Sequence, residues 1–264
     1  MPRDNKTSVI QKIATQAYIT FKDLKSSENE DNKVAADKLS ELISLVTSVR
    51  AADLKIASRK AKPSTSTVGL QSPPVTYMHI CETELFSIGV FLLTTGASIP
   101  LHDHPGMNGM LKVLYGKVKV CCFDKLADNL TVTTDQPHFD PPLGPLQMAS
   151  VWRSVLRSVV EYSENSGPCL LTPVQDNLHQ ISAVDGPAAF LDILAPPYNP
   201  DDGRDCHYYK VLQSVAKEGT DARGDQEQQG ENKEKGEEVW LLEIPQPEDF
   251  WCGGEPYPGP AVAI

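Results

Sequence analysis

The sequence predicts a mostly β protein, an antiparallel jelly-roll barrel with N-terminal α-helices packed against its outside. Two observations support this fold class. From about Val75 onwards the chain consists of short β-rich runs separated by Gly and Pro, and regularly spaced runs of this kind are typical of jelly rolls. Before that point, apolar side chains recur at three- to four-residue spacing, which indicates amphipathic helices.

The helical region is predicted over residues 1–62. Two apolar stripes define its helices, with a polar break at residues 26–32 between them. We interpret both stripes as core-facing surfaces of helices that pack on the barrel, and not as binding sites for a partner. The stripes consist of Val9, Ile13, Ala17, Phe21 and Leu24, and of Leu39, Leu42, Ile43, Val46 and Val49.

The barrel domain is predicted over residues 75–264. Its clearest strands are 86–94, 111–122, 159–162, 169–172, 181–184 and 190–194. Residues at about 217–238 are rich in Gly, Asp, Glu, Gln and Lys without an apolar anchor, so we expect a disordered acidic loop there. Strand composition returns at residues 239–243. The aromatic residues Phe250, Trp251 and Tyr257 are expected to pack on the barrel exterior.

Charge and composition argue against several classes of function. The net charge is −11 and the pI is near 5.0, which disfavours binding of nucleic acid through its phosphates. No run of about 18 apolar residues and no apolar leader are present, so neither a membrane span nor secretion is expected. Six cysteines in a chain of this length are not a disulfide framework, and none form a C-x-x-C pair, so we expect a reducing compartment, the cytoplasm. We expect a monomer.

The segment 96–104, GASIPLHDH, carries two candidate metal ligands. His102 and His104 are two residues apart, so they point to the same face of a strand, and neutral imidazole is the commonest ligand of transition metals. With Gly96 and Gly116 at matching distances, the segment resembles the first motif of the cupin superfamily, G-x5-H-x-H-x(3,4)-E-x6-G. That resemblance implies the cupin jelly roll, or double-stranded β-helix. Gly109 stands where the motif has its Glu ligand.

A third ligand has to come from the remaining histidines. His79 and His138 lie outside any motif, and His207 lies in the run DCHYY. His179 is the best candidate, because residues 167–179 approximate the second cupin motif, with Asp where that motif has Gly. Three neutral histidines would leave the charge of a ferrous ion uncompensated and several coordination positions open, which favours a thiolate with room for O2 beside it.

Longer segments resemble one cupin family, the thiol dioxygenases that include 2-aminoethanethiol (cysteamine) dioxygenase and the plant cysteine oxidases. The segments are 102–107, 112–116, 176–180, 190–198, 201–209 and 250–252. The likeness runs from about Val75 to the end of the chain and is weaker in the N-terminal helices. One departure is Asn108, where we expect the family to have His, and it concerns hydrogen bonding around the site and not the ligands.

The resemblance implies a non-heme iron (Fe2+) enzyme that inserts both atoms of O2 into a thiol sulfur and forms a sulfinic acid. The implied substrates are cysteamine, which yields hypotaurine, and the N-terminal cysteine of proteins. Oxidation of such a cysteine would mark its protein for arginylation and degradation through the Arg/N-degron pathway, which would make the enzyme an oxygen sensor. Both substrate classes stay open at this point.

Three further residues belong to the predicted site. Both substrate classes carry an amine near the thiol, and Asp192, in the otherwise apolar run 190–194, is the candidate anion for it. The alternative is that Asp192 faces solvent or pairs with Arg or Lys. Cys206 and Tyr208 match a pair that forms a thioether cofactor in some members of the family, although a reduced thiol packed beside the ring is equally compatible. Cys121, Cys122 and Cys252 are expected to be strand or surface thiols without a role.

A rival from another class is a catalytically silent metal-binding cupin that acts as a regulatory or binding protein. Gly109 in place of the acid would fit such a decayed site, whereas the three retained histidines favour an enzyme. Metal chemistry on a carbonyl or an aromatic ring is disfavoured by Asp192.

Overall fold

The computed structural model describes residues 7–26, 32–59, 73–126, 138–215 and 237–264, and it has the expected mostly β architecture. Two helices come first, α1 (Val9–Ser26) and α2 (Asn32–Ser48), and a 3-10 turn follows at Ala51–Leu54. A short helix, α3 (Pro145–Met148), and a second 3-10 turn (Pro200–Asp202) interrupt the strands. No helix in these ranges is long and apolar enough to cross a bilayer.

The strands are, in chain order, β1 (Val75–Glu82), β2 (Ser87–Leu93), β3 (Ser98–Asp103), β4 (Asn108–Tyr115), β5 (Lys117–Lys125), β6 (His138–Phe139), β7 (Val151–Ser163), β8 (Cys169–Leu171), β9 (Leu178–Ala183), β10 (Ala188–Ala195), β11 (Tyr208–Leu212), β12 (Ser214–Val215), β13 (Glu237–Ile244) and β14 (Cys252–Gly254).

Two large sheets form the barrel. The first sheet has the strand order β14-β1-β2-β10-β4-β8. The second has the order β11-β13-β7-β5-β9-β3 and closes on itself where Tyr208 pairs with His102. One buried cluster draws side chains from both sheets, so the two sheets enclose a common core, as a jelly roll requires. Its larger members are Leu93, Ile99, Leu111, Val113, Val118, Val120, Ile181 and Phe190.

The helices cover the outer face of the first sheet. Side chains of a strand alternate between its two faces, so Leu191 and Ile193 of β10 point outwards to the helices, whereas Phe190 and Asp192 point into the barrel. The outward cluster contains the apolar stripes of both helices, including Ile13 and Phe21. The packing of the helices against the barrel therefore also fixes the strand that carries Asp192.

The largest differences from the predicted strands concern two runs. The run 111–122 is divided into β4 and β5 at Gly116, whose φ of +72° is a left-handed conformation and whose missing Cβ would overlap the carbonyl oxygen of Pro187. The run 159–162 is the end of the long strand β7, whose polar outer residues mask it in the sequence. The acidic loop predicted at 217–238 lies outside the described residues, except that Glu237 and Glu238 begin β13.

Candidate metal and thiol site

Three histidines converge inside the barrel. His102 lies on β3, His104 follows the end of that strand, and His179 on β9 is the direct cross-strand neighbour of His102. Their ring centroids are 4.6–4.8 Å apart, and one nitrogen from each ring lies within 4.8 Å of the others. All three side chains are buried. The second sheet therefore brings the three predicted ligands to one point.

The protonation of these rings suits metal binding. Nδ1 of His102 donates to the carbonyl oxygen of Pro100 (2.8 Å), and Nδ1 of His104 donates to that of Asn177 (2.9 Å). Because a carbonyl only accepts, the proton lies on Nδ1, and Nε2 of each ring keeps its lone pair. Burial lowers the pKa of all three histidines, and for His104 burial and the neighbouring His102 lower the pKa to about 3. Three neutral imidazoles are a donor set for Fe, Zn, Cu or Ni.

Two residues that sequence reasoning missed hold His104 and the HxH segment. The side chain of Asn177 accepts a hydrogen bond from the backbone N–H of His104 (3.2 Å) and donates to the carbonyl oxygens of His104 and Thr172, both at 2.8 Å. Asp103 points away from the two histidines and accepts hydrogen bonds from the hydroxyl of Tyr209 (2.8 Å) and the backbone N–H of His207 (3.0 Å). The sequence did contain a signal for this role of Asp103. It stands between His102 and His104, so strand alternation turns its side chain to the face opposite the two ligands.

The other histidines lie outside the cluster. His79 is exposed on β1, and His138 is exposed on β6. His207 is 3.1 Å from a carboxylate oxygen of Asp103 and lines none of the cavities at the site.

The three histidines open onto a cavity of about 430 Å3. Asp192, Cys206 and Tyr208 line the same cavity, so all six residues expected from the sequence meet there. Apolar side chains form most of the remaining wall, and no Lys or Arg of the described ranges lines it. The apolar wall consists of Phe91, Ile99, Ile181, Phe190, Leu194, Phe250 and Trp251.

Asp192 is half-buried and makes no hydrogen bond or ion pair with any residue that the structure describes. The alternative in which it pairs with Arg or Lys is therefore not observed in this part of the chain. Burial raises the pKa of Asp192 to about 7. A half-buried carboxylate without a partner is unfavourable, and an ammonium group of a ligand would relieve that cost.

The thiol of Cys206 lies between two phenols. Burial is the largest cause acting on this thiol and raises the pKa of Cys206 to about 11, although the nearby hydroxyls of Tyr198 and Tyr208 favour the thiolate. Tyr198 was missed in the sequence. It follows the dipeptide Pro196-Pro197 after β10, its ring centroid is 5.6 Å from that of His104, and its hydroxyl donates to the carbonyl oxygen of Asp103 at 2.7 Å.

The prediction that Phe250 and Trp251 pack on the barrel exterior is wrong, because both line the cavity. The Phe250 ring centroid lies 6.0 Å from that of Tyr208. The cause is strand β14, which pairs in parallel with β1 and so draws the preceding residues across the cavity. Cys252, expected to have no role, also lines the cavity.

The jelly-roll barrel and its three converging histidines define a cupin with a candidate metal centre. The chain belongs to the PCO_ADO family, whose family model matches residues 45–262. It is 56% identical to the 2-aminoethanethiol dioxygenase of Mus musculus and 54% identical to that of Homo sapiens, in each case over 99% of both chains. It is 28% identical to plant cysteine oxidase 1 of Arabidopsis thaliana, over 99% of this chain and 82% of that protein.

Proposed function

We propose that this protein is a non-heme iron dioxygenase that converts the thiol of an amine-bearing substrate into a sulfinic acid. The reaction adds one O2 to R–SH and gives R–SO2H, with both oxygen atoms on sulfur. Cysteamine, which would yield hypotaurine, is the first proposed substrate, in line with the names of the mammalian relatives. The N-terminal cysteine of proteins is the second, in line with the plant relative.

The observation that carries this proposal is the combination of three neutral histidines and an unpaired carboxylate on one small cavity. His102, His104 and His179 would hold Fe2+ through their Nε2 atoms. When bound, ferrous iron supplies a Lewis acid that lowers the pKa of a thiol and a source of electrons for O2. The buried rings and the apolar wall keep bulk water away from the reacting sulfur.

Asp192 is proposed to bind the ammonium group of the substrate. The amine of cysteamine is two carbons from its sulfur, and the α-amine of an N-terminal cysteine is at the same separation, so one carboxylate serves both. Because no described Arg or Lys lines the cavity, the carboxylate of free cysteine has no cationic partner there. The site therefore favours thiols that have an amine and no nearby carboxylate.

Cys206 and Tyr208 are proposed to act as a pair at the side of the cavity. Both side chains line the metal cavity, and the centroid of the Tyr208 ring lies 6.4 Å from that of His102. Joining them as a thioether would form one C–S bond and release two protons and two electrons to O2. The linked pair would hold the phenol in one orientation towards the substrate.

The cellular role that we propose is oxygen sensing. Sulfinylation of an N-terminal cysteine would commit its protein to the Arg/N-degron pathway, so that degradation would follow the O2 supply. All six cysteines are free thiols, which supports a reducing compartment such as the cytoplasm.

Mass spectrometry tests the reaction directly. Iron-loaded protein is incubated in air with cysteamine or with a peptide that begins with Cys, and then again under isotopically labelled O2. We expect one O2 to be added per thiol, with both labelled atoms in the product. A protein that retains iron but oxidises neither thiol would instead be the silent metal-binding cupin, and the proposed function would be abandoned.

A further inference from the structure

Two further cavities extend the metal cavity along the inner edge of the first sheet. The cavity of about 450 Å3 next to it shares Phe91, Asp192 and Tyr198 with the metal cavity. A third cavity, of about 880 Å3, shares Glu82, Pro197 and Tyr198 with the second. Tyr198 lines all three, so the cavities adjoin one another from the histidines to helix α1, whose Phe21 forms part of the far wall. We call the second and third cavities together the acidic groove.

The groove starts at Asp192 because of a glycine. Gly89 of β2 lies directly beside Asp192 in the sheet, and a Cβ at this position would overlap the ring of Tyr77. The absence of a side chain at Gly89 lets the Tyr77 ring lie over this position, with its centroid 4.9 Å from that of the Phe91 ring. An aromatic floor therefore continues from the carboxylate of Asp192 into the groove.

The charge of the groove is negative. Glu82 and Glu84 are exposed on its wall and form no ion pair with any described residue. The only described cation on the wall, Arg204, is neutralised by Asp202 at 3.1 Å and also donates to the carbonyl oxygen of Pro197. Two uncompensated carboxylates remain, in a space much larger than cysteamine can fill.

We propose that the acidic groove binds the residues that follow an N-terminal cysteine and selects peptides with Lys or Arg at the second to fourth positions. The proposal rests on the proposed function, because the amine of the first residue must lie at Asp192. From there the peptide has to leave the metal cavity, and Asp192 lines the passage into the groove.

The sheet register gives the length of peptide involved. Asp192 pairs with Gly89, and Leu194 pairs with Ser87, which in turn pairs with Glu82. Glu82 is therefore displaced from Asp192 by two strands across the sheet and by two residues along the strand direction. The two Cα atoms are about 12 Å apart by this geometry. An extended peptide covers about 3.3 Å per residue, so its fourth residue lies about 10 Å from the first, and a long side chain at the third or fourth residue reaches Glu82. Lysine side chains at those positions can approach both glutamates.

The test compares peptides that differ only in charge. Iron-loaded enzyme receives an equimolar mixture of a Cys-Lys-Lys-Lys peptide and its Cys-Gln-Gln-Gln counterpart, and the two sulfinic products are quantified by mass spectrometry. Each rate with a peptide is divided by the rate of the same protein with cysteamine, because cysteamine is too small to extend into the acidic groove. The variants are E82Q/E84Q, the charge reversal E82K/E84K, and the control E161Q/E237Q, whose two glutamates line none of the three cavities.

We expect wild type and the control to prefer the lysine peptide by about three- to tenfold in kcat/KM, the range for two exposed charge pairs. The preference should shrink at high salt, vanish in E82Q/E84Q, and turn into a preference for Cys-Glu-Glu-Glu in E82K/E84K. Equal rates for both peptides in wild type, or an unchanged preference in E82Q/E84Q, would overturn the proposal. Oxidation of cysteamine but of neither peptide would also overturn it and would leave the small-thiol reaction intact. Loss of all three reactions would instead reject the proposed function.

Discussion

Replacing Asp192 by Asn tests the amine-binding role at the heart of the proposed site. Asn keeps the size of the side chain and removes only its charge. An ammonium about 4 Å from a carboxylate gains roughly 4 kcal/mol at an effective dielectric constant near 20. Desolvation of the ammonium offsets part of this gain, so we expect kcat/KM for cysteamine to fall by about ten- to hundredfold.

The matched substrate is 2-mercaptoethanol, in which a hydroxyl replaces the ammonium. Its oxidation should change little in Asp192→Asn, and iron content should remain at the wild-type level. Initial rates are measured by O2 consumption with both thiols and both proteins. Equal losses on the two thiols would show that Asp192 is structural, and the amine-binding role would have to be withdrawn.

The amine-binding role of Asp192 also predicts how the rate with cysteamine depends on pH. The carboxylate form of Asp192 binds the ammonium, and burial raises the pKa of this group to about 7 in the metal-free protein. The rate with cysteamine relative to 2-mercaptoethanol should therefore rise with pH as Asp192 ionises. Below about pH 8 both thiols are mostly protonated and their ionised fractions rise in parallel, so thiol ionisation cancels in that ratio. In Asp192→Asn the ratio should be flat, and a slope that survives the substitution would assign the ionisation to another group, such as Cys169, whose pKa is lowered by the neighbouring Cys122.

Four further outcomes follow from the structure. His179→Ala should abolish both iron retention, measured by elemental analysis, and turnover, whereas His79→Ala, on the exposed part of β1, should retain both. Asn177→Ala removes three hydrogen bonds that hold the His104 segment, so unfolding by urea should be easier by roughly 1–3 kcal/mol and iron should bind more weakly. Gly116→Ala forces a side chain into a left-handed turn against Pro187, and the melting temperature should fall clearly. Metal-free Asp192→Asn should be more stable than wild type at pH 8, by roughly 1–3 kcal/mol, and equal to it near pH 4. The sign follows because the folded protein binds the proton of Asp192 more tightly than the unfolded chain does, so stability is lost as the pH rises from about 4 to about 7 and the loss is complete at pH 8. Equal urea midpoints at pH 8 would contradict it.

The alternation of side chains along a strand was sufficient to predict the direction of residues whose orientation depends on their own strand. Asp192 points away from Leu191 and Ile193 because side chains of a strand alternate. The spacing of His102 and His104 predicted a shared face, which holds although His104 lies directly after the end of β3, where Asn177 also fixes it. These predictions need only the periodicity of one strand, which the sequence contains. The placement of His179 beside His102 depends on the pairing of β3 with β9, for which the sequence offered only a loose motif.

Residues that reach the site through distant pairings could not be predicted in the same way. Phe250 and Cys252 lie at the cavity because β14 pairs in parallel with β1, and no local pattern encodes that partner. Tyr198 lies after the end of a strand, where alternation no longer determines the direction of a side chain. In each case the missing information is the topology of the sheet, which is set by the whole core.

The candidate site is maintained at the expense of stability in the metal-free protein. Three buried neutral histidines and a half-buried unpaired carboxylate contribute less to folding than apolar residues of the same size would. The helices on the opposite face of β10 bury Leu191 and Ile193 and hold the strand in place despite this cost. Because iron and an amine-bearing thiol bind the folded state only, each should raise the unfolding temperature in proportion to the logarithm of its concentration over its Kd. The three histidines and Asp192, which destabilise the metal-free protein, are thus the groups that would gain the most favourable interactions on binding of iron and substrate.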